Sequence, residues 1–256
     1  MATKKSAGSG SEGAGATPAG GVTVDLDLLG QLPIFKRVPR RLARVPMLLD
    51  VWQRDGRLTV DEMAVMLCVA YMESGYNLNA VSDPSAPDHA VGDAWGLFQM
   101  TAQTCDGYGI DINSLRLWPD GNGQYTPEAV ETATRYSGAA ALKLLFPTLQ
   151  FTGGQPYLPW LRARYGNDPA NIARQIFIGW SNGPARGWDY SFARSNGQLL
   201  PPLQDVAPNL RVGSGGWTHY QLAKRFRMVG YFQAALGRPV AIPDGLKVDP
   251  AQEALS

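Results

Sequence analysis

The sequence predicts a mainly α-helical domain with long connections between its helices. Apolar residues recur at helical spacing in several segments with capping residues at their ends, whereas alternating strand patterns are scarce. The connections at about 106–126, 147–167 and 189–216 are rich in Gly and Pro. Loops of that length in compact domains are usually functional or mobile.

The composition predicts one folded unit between two tails. Residues 1–22 are mostly Gly, Ala, Ser and Thr, which bury too little apolar surface to offset the loss of chain entropy. We therefore expect a flexible tail at 1–22, a single domain at 23–245 and a C-terminal tail at 246–256.

The first two helices have the clearest end signals. One is predicted over about 40–53, ending at Asp55-Gly56. The other begins with a capping box of Thr59 and Glu62 and ends at Gly75, which is placed to act as a left-handed cap. The apolar stripe of this second helix consists of Met63, Met66, Leu67, Ala70 and Tyr71.

Three further helices follow along the chain. An Ala-rich helix is predicted over about 127–145, and a fourth opens at Asp168-Pro169, an N-cap followed by a proline at the first helical position. The stripe of the fourth helix is Ile172, Ile176 and Trp180. The fifth is predicted from about Thr218 to Leu236.

Composition excludes several classes of function. A net charge of +1 argues against a dedicated nucleic-acid-binding protein, and no apolar run approaches the ~20 residues that span a bilayer. The only cysteines are Cys68 and Cys105, and the only histidines are His89 and His219, without zinc-site spacing. We expect no cofactor and no metal.

Glu73 does not fit its local position. It follows Met66 by seven residues, which places it on the buried stripe and in the last helical turn. Burial and the negative end of the helix dipole both raise a carboxyl pKa. A carboxyl group that stays protonated near neutral pH is suited to general-acid cleavage of a glycosidic bond. A solvated glutamate at the helix edge is the alternative.

The surroundings of Glu73 resemble a known family. Glu73-Ser74 at a helix end, Gly96-Leu97-Phe98-Gln99-Met100 with Thr104 after it, and Gly179-Trp180-Ser181-Asn182-Gly183-Pro184 are similar to the three motifs of lytic transglycosylases. These enzymes share a lysozyme-like fold with goose-type lysozymes, and the resemblance covers roughly 58–190. It implies a lysozyme-like helical domain acting on the glycan strands of peptidoglycan.

The resemblance also implies roles for individual residues. Glu73 corresponds to the single catalytic acid/base and Ser74 to a serine that hydrogen-bonds near it. Gly96 and Gln99 correspond to the turn that lines the sugar cleft, where the glycine permits close approach of the substrate and the amide binds the glycan.

The third motif departs from the family pattern. Trp180 stands at the family's tyrosine position and Ser181 at its asparagine position, with Asn182 one residue later. Trp180 can still stack on a sugar ring, and Ser181 or Asn182 can supply a hydrogen bond. Tyr220 is the candidate for the tyrosine that the family places near the acid from its final helix.

The implied reaction breaks the bond between N-acetylmuramic acid and N-acetylglucosamine and closes a 1,6-anhydro ring. A hydrolytic goose-type lysozyme is the close alternative, because hydrolysis through water typically uses a second carboxylate. Asp83, Asp88 and Asp93 are the candidates for that group, although each also stands in an ordinary turn pair.

Two other classes stay open. One is a catalytically silent peptidoglycan-binding or structural protein. The other is a Cys-His peptidase using Cys68 or Cys105 with His89 or His219. The N-terminus has no apolar segment typical of a secretory signal peptide. We therefore expect a virion-borne protein that acts on the host cell wall in the periplasm, with phage tail or ejection proteins as partners. An endolysin or secretion-system cargo is the alternative.

Overall fold

The computed structural model describes residues 21–81, 94–148, 153–165, 211–212, 217–218 and 228–240, together with Ile172, Ile176 and Trp180. The described part is mainly helical, as predicted. Its helices are α1 Leu26–Leu29, α2 Pro33–Arg37, α3 Arg44–Asp55, α4 Val60–Ser74, α5 Ala102–Gly107, α6 Pro127–Leu145 and α7 Tyr157–Tyr165, with two 3-10 helices at Pro39–Arg41 and Ile112–Leu115. A further helix occupies 228–235.

Four two-residue strands form two antiparallel pairs. In the first pair, β1 (Ala94–Trp95) lies against β2 (Met100–Thr101), with Trp95 opposite Met100. In the second, β3 (Arg211–Val212) lies against β4 (Trp217–Thr218). The first pair is a hairpin closed by the four residues of the motif that begins at Gly96.

Helix α4 runs through the centre of the core. Ten consecutive residues, from Glu62 to Tyr71, are buried, so the helix is surrounded on all sides by other elements. Both predicted end signals are confirmed. The Thr59 side chain and the Glu62 side chain each bond the other's backbone, and Gly75 caps the helix in the left-handed conformation with φ of 56°.

The other helices pack around α4 and against each other. Helix α3 contacts both α4 and α6, and the indole N–H of Trp52 donates to the Gly138 carbonyl at 3.0 Å. On another side, the Arg162 guanidinium of α7 pairs with the buried Glu62 carboxylate through two hydrogen bonds. The capping carboxylate of α4 therefore also joins α7 to the core.

The two ends of the described chain meet beside α4. The Asp25 N–H donates to the Ala235 carbonyl at 2.8 Å, and the Tyr231 hydroxyl donates to the Leu28 carbonyl at 2.8 Å. The rings of Phe232 and Tyr71 lie 5.9 Å apart, edge to face. A single cluster of buried residues extends from Leu29 to Leu236 through α4.

Several predicted boundaries are corrected. The helix predicted at 40–53 is a 3-10 turn followed by α3, which ends at Asp55 as expected. The helix at Pro127–Leu145 is confirmed. The fifth helix does not begin at Thr218, because that residue pairs in β4.

The long connections also contain regular structure. Helix α7 lies within 147–167, a 3-10 helix lies within 106–126, and β3 lies within 189–216. The Gly and Pro content of these segments predicted loops there, so these short elements were not expected. Among the helices of the described ranges, none combines the length and the apolar character that crossing a bilayer requires.

Candidate functional site

The candidate acid lies where α4 ends. Glu73 is the penultimate residue of the helix and is half-buried. It occupies the last turn, as predicted, beside Ser74 and the left-handed cap at Gly75.

Ser74 connects the end of α4 to the hairpin turn. Its hydroxyl Oγ lies 2.8 Å from the Leu97 carbonyl and 3.1 Å from the Ala70 carbonyl, and it accepts a hydrogen bond from the Asn77 N–H at 3.2 Å. The bond to Leu97 spans 23 residues of sequence. Ser74 therefore holds the segment after Gly96 against the helix turn that contains Glu73.

The turn itself is built on two residues with positive φ. Gly96 has φ of 74° and Gln99 has φ of 48°. A Cβ atom at position 96 would lie 2.9 Å from the Leu115 carbonyl oxygen, so glycine is required by conformation and by space. The resemblance explained this glycine by close approach of a substrate. In the structure the group that lies close to Gly96 is the backbone carbonyl of Leu115.

Gln99 stabilises the turn from within. Its Nε2 donates to the Ala80 carbonyl at 3.1 Å and to the Gly96 carbonyl at 3.0 Å. The Gly96 N–H donates to the same Ala80 carbonyl. The amide nitrogen that the resemblance assigned to the glycan is therefore engaged by backbone, and the Oε1 oxygen accepts no hydrogen bond from the described residues.

Trp180 packs on the other side of the same turn. Its indole Nε1–H donates to the Phe98 carbonyl at 2.9 Å, and the rings of Trp180 and Phe98 lie 5.5 Å apart. Ile176 and Ile172, one and two turns earlier, are helical and buried. Ser74 and Trp180 thus contact two consecutive carbonyl groups of the turn, Leu97 bound by Ser74 and Phe98 bound by Trp180.

Two arginines surround the end of α4, and sequence reasoning missed both. Arg41 donates to the Gly75 carbonyl at 3.2 Å, and Arg44 donates to the Tyr76 carbonyl. Burial lowers the pKa of Arg44 to about 10, with Arg41 and Arg40 as further causes, so Arg44 is still charged at neutral pH. Cations at a helix C-terminus interact favourably with the helix dipole, and they stabilise the charged form of a nearby carboxyl group.

Neither arginine entered the argument by which the sequence predicts a raised pKa for Glu73. The only sequence signal for them was the run of basic residues before α3. A raised pKa at Glu73 stays a prediction.

The remaining candidates fall outside the described residues. These are Asp83, Asp88, Asp93, Ser181, Asn182 and Tyr220. Within the part of the chain that the structure describes, no group of three or more His, Cys, Asp or Glu side chains is placed to hold a metal ion.

The two cysteines are core residues. Cys68 and Cys105 are both buried, and no disulfide joins them. Burial raises the pKa of the Cys105 thiol to about 11, which disfavours the thiolate that nucleophilic catalysis needs. The raised pKa of this thiol therefore argues against a Cys-His peptidase that uses Cys105 as its nucleophile.

Neither the scan against protein-family models nor the searches of curated proteins and solved structures found a match to this chain. The function is therefore argued from the geometry of the site.

Proposed function

We propose that this protein is a lytic transglycosylase that cleaves the glycan strands of peptidoglycan, with Glu73 as its single acid/base. The proposal depends on one observation. Ser74 and Trp180 bind the adjacent carbonyls of Leu97 and Phe98. The end of α4 that carries Glu73, the glycine turn and Trp180 of the third motif therefore lie together. Separate motifs that matched by chance would have no reason to meet in space.

The proposed reaction needs one carboxyl group. Glu73 donates its proton to the oxygen of the bond between N-acetylmuramic acid and N-acetylglucosamine, and that bond breaks. The substrate's acetamido group stabilises the developing cation. The Glu73 carboxylate then takes the proton of the muramyl 6-hydroxyl, whose oxygen bonds to the anomeric carbon and closes the 1,6-anhydro ring. The nucleophile is already on the substrate, so the reaction gains from proximity and consumes no water.

In this proposal the side chains that bond the protein's own backbone position the catalytic acid and the turn, and they do not bind the substrate through those groups. Ser74, the amide nitrogen of Gln99 and the indole N–H of Trp180 all bond the protein's own backbone. They hold the turn against the helix end, and catalysis depends on such rigid placement of the acid relative to the bond. Trp180, which is half-buried, keeps in this proposal the additional role of stacking on a sugar ring.

The test is mass spectrometry of the soluble products after the purified protein digests bare sacculi. We expect anhydro-muropeptides, lighter than reducing products by one water. We expect Glu73→Gln to lower their release at least about 100-fold, because general acid–base groups contribute about 10²–10⁴-fold. Glu128→Gln makes the same chemical change at an exposed position on α6 and serves as the matched control.

Each outcome has a separate meaning. Reducing ends instead of anhydro ends would contradict the transglycosylase reaction and favour the hydrolytic alternative, with Asp83, Asp88 or Asp93 as the second carboxylate. Binding to sacculi without release of products would favour a catalytically silent binding protein. The virion-borne location stays a prediction of the sequence, which a proteomic search of purified virions tests.

A further inference from the structure

A stacked arrangement of two indole rings and one guanidinium group lies beside the hairpin turn. The Arg116 guanidinium carbon is 3.7 Å from the centre of the Trp95 ring and 4.4 Å from the centre of the Trp118 ring. Trp95 is buried, whereas Trp118 is 52% exposed. The planar guanidinium therefore joins an exposed indole to a buried one.

Hydrogen bonds hold the exposed rings in place. The Trp118 indole N–H donates to the Asn113 carbonyl at 3.0 Å. The amide of Asn79 donates to the Tyr125 hydroxyl at 3.0 Å, while its oxygen accepts from the Leu117 N–H at 3.2 Å. The polar edges of both rings thus have hydrogen-bond partners in the protein, while about half of each side chain stays exposed.

Large exposed aromatic side chains of this kind are uncommon in the described ranges. Trp118 and Tyr125 are each about half exposed, and Leu26 is the one other large hydrophobic side chain described as exposed. Exposed apolar surface that is held rigidly and rimmed by polar groups marks ligand-binding surfaces. Ring faces of Trp and Tyr offer broad contact area at a low cost in side-chain entropy.

This surface is continuous with the candidate site. Trp95 directly precedes Gly96, and Gly96 packs against the Leu115 carbonyl, one residue before Arg116. Asn79 directly precedes Ala80, whose carbonyl accepts bonds from the Gly96 N–H and the Gln99 amide. A polymer strand bound at the Gly96–Gln99 turn could therefore extend directly onto the exposed rings of Trp118 and Tyr125.

The charges of the segment favour an uncharged polymer over a polyanion. Arg116 is the cation of this surface, and its guanidinium forms no ion pair with a carboxylate of the described residues. The carboxylates of Asp111 and Asp120 lie on the same segment. A nucleic acid would be repelled by these carboxylates, because its binding depends mainly on positive charge.

We propose that Trp118, Tyr125 and Arg116 form a glycan-binding platform that holds a stretch of the sugar strand outside the cleavage site. The C–H faces of pyranose rings pack on the two aromatic faces, whose π-systems attract the polarised hydrogens. The Arg116 N–H groups donate to hydroxyl or acetamido oxygens of the strand. This inference rests on the proposed function for its choice of a glycan as the ligand.

The platform is tested by binding, which keeps it separate from catalysis. Soluble chitotetraose, a β-1,4-linked tetramer of N-acetylglucosamine, is titrated into full-length Glu73→Gln protein by calorimetry. We expect Trp118→Ala in that background to weaken binding about tenfold, as for loss of one aromatic stacking partner. Trp118→Phe keeps a ring face and should retain most of the affinity, and Leu26→Ala is the exposed control.

The outcomes separate the two proposals. Equal affinity of Trp118→Ala and Leu26→Ala for chitotetraose would overturn the platform, whether or not the wild-type protein cleaves sacculi. Absence of chitotetraose binding in every variant would overturn it too. Tenfold weaker binding by Trp118→Ala in a protein whose wild type releases no muropeptides would support the platform and contradict the transglycosylase reaction.

Discussion

A single hydroxyl group determines where the candidate acid stands relative to the turn. Ser74 lies at the end of α4, and its Oγ contacts backbone in the helix, in the segment after the helix and in the hairpin turn. Each such bond contributes only about 1 kcal/mol to stability. Their shared geometry matters more, because it restricts the distance between Glu73 and the Gly96–Gln99 turn.

Gly96 provides the sharpest prediction for a single residue. Alanine at position 96 must adopt a φ near 74° and place its Cβ 2.9 Å from the Leu115 carbonyl oxygen. Alanine at Gly123 must adopt a φ of 75° but meets no atom within 4 Å. Both variants share the conformational cost of about 1–2 kcal/mol, and only Gly96→Ala adds the clash.

We expect Gly96→Ala to be less stable than Gly123→Ala by about 1–3 kcal/mol, the usual cost of forcing an extra methyl group into a packed site. Urea unfolding followed by circular dichroism gives both values. Equal loss of stability in the two variants would contradict the close packing of the turn against Leu115.

At the scale of elements, α3 and α6 depend on a glycine for their contact. A Cβ atom at Gly138 would lie 3.1 Å from a methyl group of Leu48 and 3.5 Å from Val51. The carbonyl of the same residue accepts the Trp52 indole bond, so a shift of α6 also stretches that bond. The small residue lets the helices approach and lets the indole reach the backbone.

We expect Gly138→Leu to lower the free energy of unfolding by about 1–3 kcal/mol through overpacking against α3. Ala139→Leu, one residue along on the exposed face of the same helix, should stay within about 0.5 kcal/mol of the wild type. Thermal and urea unfolding measure both. If Gly138→Leu were as stable as Ala139→Leu, α3 and α6 would not pack as closely as described.

At the scale of the whole molecule, the two ends of the described chain form one side of the core around α4. Phe232 is fully buried, contacts Tyr71 of α4 and lies beside Tyr231, which bonds the Leu28 carbonyl. Gln233 and Arg238 bind Asp61 in the first turn of α4. The helix at 228–235 therefore belongs to the same core as the candidate site.

We expect Phe232→Ala to lower the free energy of unfolding by about 3–5 kcal/mol, the range for truncating a buried aromatic ring. Because one cluster of buried residues joins the chain ends to α4, near-ultraviolet circular dichroism and tryptophan fluorescence should report one coincident urea transition. Leu26→Ala, at an exposed position of the opposite chain end, is the control. Two separate transitions would show that the ends and the centre unfold independently.

Local patterns predicted the helices whose ends are defined by neighbouring residues. The capping box of α4, its glycine cap and the bounds of α6 all depend on contacts within four or five residues, and all are confirmed. Prediction was wrong at Thr218, because strand pairing with Arg211 depends on a segment that a helical pattern does not reveal. Helix α7 was missed because its apolar residues follow no clear stripe.

The sequence by itself determined the mainly helical class, the limits of α4 and the place of Glu73 in its last turn. These features follow from short-range hydrogen bonding and from the burial of one helix face. Its resemblance to lytic transglycosylases also named Ser74, Gly96, Gln99 and Trp180 as candidate site residues.

Only the tertiary structure decided what those residues do. Ser74 and Trp180 bind adjacent carbonyls, the Gln99 amide is engaged by backbone, and Arg41 and Arg44 bring positive charge to the end of α4. The contact of Arg116 with Trp95 likewise joins two segments that are distant in the chain. Such contacts depend on where packing brings distant segments together, and residue spacing along one chain does not encode that directly.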